Sequence, residues 1–162
     1  DKQVRLEVAK GKFEDVNIHE VIKNVHDADI EVMGNYMFGL TSDTNSTMKK
    51  TRDLSLSLCT SGWNAYAAMA LPGSQLYKDA VEKKYKLPDD YTGYSFHVYN
   101  TQPLPTESLS PEEILRYRDE SFTMYHTYEP FLKRVESKFG NAAVENIKKM
   151  TTVKLKRQIL GD

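Results

Sequence analysis

The positions best suited to chemistry in this sequence are the ends of two apolar runs. Glu31 to Leu40 reads EVMGNYMFGL, and Trp63 to Tyr77 reads WNAYAAMALPGSQLY. Each has the texture of a buried strand that stops at a glycine-bearing turn and hands over to a helix, and α/β folds place ligands there, outside the carboxyl ends of strands. Other reactive residue types stand alone. His19 and His26 are seven apart on one helical segment, two turns rather than the single turn a shared metal prefers, so they read as surface histidines with no metal site. His97 lies among aromatic residues, where an imidazole that titrates near neutral pH could serve a substrate pocket. Cys59 has no cationic neighbour nearby in sequence and reads as a buried, inert thiol. Lys148, Lys149, Lys154, Lys156 and Arg157 gather late in the last predicted helix, where cations favour the negative end of the dipole and form a solvated face. No aromatic residues are interleaved with them, so nucleic acid is not an expected partner. A nucleophile elbow, a phosphate loop and a paired base are all missing, which sets aside a small hydrolase or transferase.

The elements that must position the two strand ends follow from caps and periodicity. After a first helical piece ending near Gly11, Asn17 and Glu20 have capping-box spacing, with Val16 and Val21 placed as a hydrophobic staple. That predicts a helix from Ile18 to about Ala28 with Ile18, Val21, Ile22 and Val25 on a buried face. The strand from Ile30 to Phe38 carries apolar residues on both faces, as expected of a parallel strand covered on each side. Gly39 lets the chain turn, and Thr41, Ser42, Asp43 and Thr44 are N-cap candidates for a helix to about Leu58 with Met48, Leu54 and Leu58 inward. A second strand, Gly62 to Met69, ends at the Pro72-Gly73-Ser74 turn. Leu76, Tyr77, Ala80 and Val81 mark the core face of the next helix. Two strands alone leave bare edges and imply further neighbours or pairing with another chain.

From Lys86 to Leu109 prolines and a glycine punctuate Tyr91, Tyr94, Phe96, His97 and Tyr99, which reads as a long loop, packed on a domain surface, with room for a short strand. Ser110-Pro111-Glu112-Glu113 supplies an N-cap, a proline in the first turn and a glutamate three residues past the cap. Pro130 opens another helix that stops at Gly140, and Ala142 to Leu160 is predicted as the last, with Val144, Ile147, Thr151 and Leu155 along one side.

A chain of 162 residues, 40% hydrophobic and 28% charged, has the balance of one ordinary domain with a real core. Its net charge of −1 creates no field that selects nucleic acid or an anionic membrane. One cysteine excludes an internal disulfide, and no apolar run approaches the ~18 residues of a membrane span. A reducing, cytoplasmic setting is expected. The opening residues, DKQVRLEVAKGK, have a helical look without a start signal, and the chain is expected to begin in mid-domain.

In order and spacing the two strand ends, GNYMFGL and AAMALPGSQLY, together with the tail DDYTGYSFHVYNTQPLPTESLSPEEILRYRDE, resemble the radical S-adenosylmethionine enzymes. The likeness is to the branch that often carries a cobalamin-binding domain. It covers nearly the whole chain. It implies an α/β fold, the carboxyl-terminal portion of a partial (β/α) barrel: residues 1–86 as strand-helix units, 87–109 as a loop, and 110–162 as an α-helical extension. It also implies S-adenosylmethionine as cofactor, with the family's G-x-I-x-G-x-x-E strand end aligned on Asn35, Met37, Gly39 and Ser42, and with Met69 and Leu71 near the nucleoside. Met37 beside Gly39 could offer an adenine an apolar wall and accessible backbone groups. Thr41 and Ser42 stand where the branch has Pro-Glu. The family's three-cysteine loop, C-x-x-x-C-x-x-C, holds a 4Fe-4S cluster, and one cysteine cannot do that. The expected partners are therefore the rest of the same polypeptide upstream and an unidentified small-molecule substrate. The cluster's ligands would lie outside this chain, cobalamin could be used by the full-length protein, and the fragment alone would be inactive. The competing expectation is a non-catalytic binding or scaffold module with the same strand-helix core.

Overall fold

The computed structural model describes residues 2–9 and 16–162. The elements run α1 (Lys2–Ala9), α2 (Ile18–Asp27), β1 (Met33–Phe38), α3 (Asn45–Leu58), β2 (Gly62–Ala67), α4 (Gln75–Glu82), α5 (Pro111–His126), α6 (Glu129–Phe139) and α7 (Asn141–Thr151). Single 3-10 turns occupy Tyr91–Tyr94 and Gln158–Leu160. The fold is mixed α/β, mostly helical, around a two-stranded parallel sheet.

Helix starts are set by side-chain caps that satisfy otherwise orphaned amides. Asn17 accepts from the amide of Glu20, and Ser74 from that of Tyr77. Thr44 with Thr47, and Ser110 with Glu113, close full reciprocal boxes. Cys59 ends α3 in the left-handed conformation.

The sheet pairs Met33 with Gly62 through to Phe38 with Ala67. Side chains alternate along a strand, so Tyr36, Phe38, Trp63, Ala65 and Ala67 share one face. That face is the core: Phe38, Trp63, Ala65 and Ala67 meet Met48 of α3, Ile114 and Tyr125 of α5, Phe131 and Val135 of α6, and Val144 of α7. Trp63 stacks on Tyr125 at 5.4 Å between ring centroids, and the Tyr125 hydroxyl donates to the Thr60 carbonyl at 2.7 Å. Burying two such rings contributes ~4–6 kcal/mol each before entropy is charged. A smaller cluster of Ala70, Ala80 and Leu104 seats α4 under the loop that follows it.

Several expectations are corrected. β1 is covered on one face only, with Met33, Asn35 and Met37 exposed on the other. In α2 no residue is buried; Ile18 and Val21 are exposed and Ile22 and Val25 half-buried, and the proposed staple of Val16 on Val21 is solvent-facing. Val81 is likewise exposed on α4. The 86–109 loop contains a 3-10 turn and no strand, and Tyr91 and Tyr99 stand exposed rather than packed. The last helix stops at Thr151, leaving Leu155 outside it. The predicted end of the first helical piece, near Gly11, lies outside the described residues.

Candidate functional site

The uncovered sheet face carries Met33, Asn35 and Met37 from β1 and Gly62, Asn64 and Tyr66 from β2. None is charged. Asn64 Nδ2 donates to Asn35 Oδ1 across the strands at 3.3 Å, so each amide keeps free hydrogen-bonding capacity. Met37 is 45% exposed and stands beside them. This is a flat apolar-and-amide surface that could hold a neutral planar group.

The other predicted positions lie at the carboxyl ends of the strands but do different things. Gly39 is buried with φ of 77°, and an added Cβ would sit 2.7 Å from Ile114 Cγ2. Glycine is needed there by the turn and by the close approach of α5. Met69 is buried and Leu71 exposed on the turn. The loop after β1 is pinned by Asp43, a buried carboxylate that accepts from the Leu40 amide at 3.1 Å and from Thr47 Oγ1 at 2.6 Å. Ser42 donates to Glu7 of α1.

The two sheet edges are treated unequally. Gly62 N donates to Val32 O, and Ala68 N to Phe38 O. Backbone groups alternate along a strand, so those of Met33, Asn35 and Met37 point away from β2, and among the described residues no backbone group pairs with them. The β2 edge is covered. Trp63, Ala65 and Ala67, whose backbone groups point away from β1, are buried, and Arg118 Nε of α5 donates to Ala65 O at 2.9 Å; beyond the strand, Leu104 N donates to Ala68 O at 2.9 Å.

Residues 96–104, a strap that runs beside β2, are held by Arg157. This guanidinium is fully buried and bonds Asp119 through both nitrogen positions, Nε at 3.0 Å and Nη2 at 3.1 Å; Nη1 donates to the carbonyls of Phe96 at 2.5 Å and Val98 at 3.2 Å. The expectation that Arg157 belongs to a solvated cationic face is thus overturned: its neighbours in sequence face water while Arg157 finds a carboxylate and two carbonyls inside. Phe96 in turn lies under the Arg118 guanidinium and edge-on to Tyr66 at 5.1 Å, and the exposed His97 rests its ring against Phe96 at 4.3 Å. Strict alternation along β2 was the sequence signal that could have found Asn64 and Tyr66.

His19 and His26 do not meet each other. His19 Nε2 is 3.1 Å from Ser57 Oγ, and His26 Nδ1 is 3.2 Å from Arg134 Nη2. Among the described residues no group of three His, Cys, Asp or Glu side chains could hold a metal. Cys59 is half-buried, and that burial raises its thiol pKa against the opposing pull of Arg134, a cation supplied by α6 rather than by sequence neighbours. No helix among the described residues is long and apolar enough to cross a membrane. No family model matches the chain, and neither a curated protein nor a solved structure matches it at a significant level.

Proposed function

We propose that this chain is the carboxyl-terminal part of a radical S-adenosylmethionine enzyme. In this reading β1 and β2 are the last strands of a partial (β/α) barrel and the open sheet face lines its lumen. The observation that carries it is the inequality of the edges: the outer edge of β2 is buried, with Arg118 on Ala65 O, whereas the exposed Met33, Asn35 and Met37 of β1 have backbone groups with no backbone partner among the described residues. A sheet of two strands is marginal alone, and a strand added at β1 from the upstream polypeptide would complete it.

The open-face residues fit the adenosyl part of S-adenosylmethionine. Met37 offers an apolar wall, and Asn35 an amide with both donor and acceptor for a purine edge. Gly39, Met69 and Leu71 contribute the turn geometry at the strand ends. An iron-sulfur cluster needs three thiolates, and Cys59 is the single cysteine, so reductive cleavage belongs to upstream residues and no step of it is assigned here. No residue is assigned to cobalamin.

The test is the polypeptide that continues this reading frame upstream of Asp1. A C-x-x-x-C-x-x-C loop there, and formation of 5′-deoxyadenosine when the reconstituted protein is reduced with S-adenosylmethionine, are the expected results. Asn35→Ala should then raise the KM for S-adenosylmethionine about tenfold, the scale of one lost polar contact. A start codon before any such loop would overturn the reading. A scaffold module would then take its place, a reading favoured by Ser42, which occupies the family's acidic position and is bonded to Glu7.

A further inference from the structure

Among the described residues, α2 is joined to distant parts of the chain by two hydrogen bonds, and histidines make both. None of its residues is buried, and a groove of about 320 Å³, lined by His19, Ile22, His26, Ser57 and Leu58 among others, separates it from the end of α3. The two histidines differ in what protonation does. Ser57 Oγ donates to Leu54 O at 2.8 Å, so its oxygen accepts from His19 Nε2–H, and that bond survives a charged ring. At His26 the partner is a guanidinium, which can only donate. Nδ1 must therefore accept, the ring is neutral with its proton on Nε2, and Nε2 is buried without an acceptor.

Charging His26 places a proton between Nδ1 and Arg134. The bond is lost and two cations face each other. Glu31 and Asp27 favour the charged ring but offset this only in part, and both carboxylates are already engaged. Glu31, between α2 and β1, already accepts from Arg134 Nη1 at 3.3 Å, from Ser61 and from Lys138 at 3.2 Å. Asp29 is taken by Lys138 at 2.6 Å, and Asp27 by Lys23. The Cys59 thiol at the end of α3 is held neutral by burial.

We propose that α2 is a latched helix: neutral His26 accepts from Arg134 and docks it on α6, and protonation releases it. This goes beyond the barrel reading and does not depend on it. The sign follows from the local setting. Burial first, and Arg134 second, lower the pKa of docked His26 below 6.5. Docking is complete above the undocked pKa and is lost as pH falls through it. With an undocked pKa of about 6.5, the opening equilibrium rises by up to about tenfold between pH 7.5 and pH 5.5.

Amide hydrogen exchange on the whole chain, corrected for intrinsic rates, reads this directly. Residues 18–27 should lose protection by up to about tenfold relative to β2 at the lower pH. His26→Gln keeps an acceptor for Arg134 without titrating and should hold α2 docked at both values, while His19→Gln should respond as the parent does. Equal protection of α2 at the two pH values, or an undiminished response in His26→Gln, would overturn the latch. Arg134→Met guards against compensation by glutamine: α2 should be unprotected at both pH values, and a retained pH response in it also counts against the proposal.

Discussion

Replacing Arg157 by methionine keeps most of the buried side-chain volume and removes the charge. Four side-chain bonds disappear: two to Asp119, and one each to the carbonyls of Phe96 and Val98. Breaking a buried ion pair by removing one partner costs ~3–5 kcal/mol, chiefly because the other charge and the carbonyls are left unpaired. Asp119 keeps Arg118 Nη1 at 2.8 Å, and its side chain is 28% exposed, so the low end applies and about 3 kcal/mol is expected. For a chain of this length that corresponds to a fall in Tm of roughly 6–12 °C. Urea unfolding followed by tryptophan fluorescence measures it, since the single Trp63 lies in the core under α5. Arg157→Lys retains charge without the fork and should recover only part of the loss. A destabilisation below about 1 kcal/mol in Arg157→Met would place this arginine among the ordinary surface cations and refute the strap's dependence on it.

Gly39→Ala should cost ~2–4 kcal/mol in the same assay, combining a positive φ with overpacking against Ile114, and a neutral result would mean that α5 shifts freely. His126 is held below the usual histidine range, first by burial, then against the raising effect of its bond to Phe122 O. Its contribution is therefore present above about pH 6.5 and lost as pH falls, so the parent should lose stability between pH 7.5 and 5.5 and His126→Phe should show a flatter profile. Limited peroxide treatment should oxidise Met33 and Met37 well before the buried Met48, as fragment-ion mass spectrometry would show. In a polypeptide extended upstream the first two should become protected, and unchanged oxidation there would argue against a covered open face.

What the sequence disclosed was local. The Ser110-Glu113 box and the start of α2 at Ile18 follow from residues three apart, and both stand as read. Amphipathic spacing identifies an apolar stripe but not its cover, which is why Ile18 and Val21 were expected inside and are found outside. The run MGNYMF likewise mixes a buried and an open face, because its methionines supply hydrophobicity without demanding burial. Asn35 and Met37 do share the open face, yet their neighbours Asn64 and Tyr66 come from a strand 29 residues away, through the pairing of Asn35 with Asn64 and Met37 with Tyr66. Arg157 was hidden for the same reason. Its partner Asp119 is 38 residues distant, and its own surroundings in the chain are lysines.

The sealed β2 edge also limits how copies of this chain can associate. Parallel strand addition from copy to copy joins the free edge of one sheet to the opposite edge of the next, and an interface of that kind can repeat without closing. Here the opposite edge is buried, with Arg118 on Ala65 O, so growth has no second end to use. By strand addition two copies can meet only through β1 on each, antiparallel and related by a two-fold axis. That contact consumes both open edges at once, so any association through strand edges stops at pairs instead of extending into fibres.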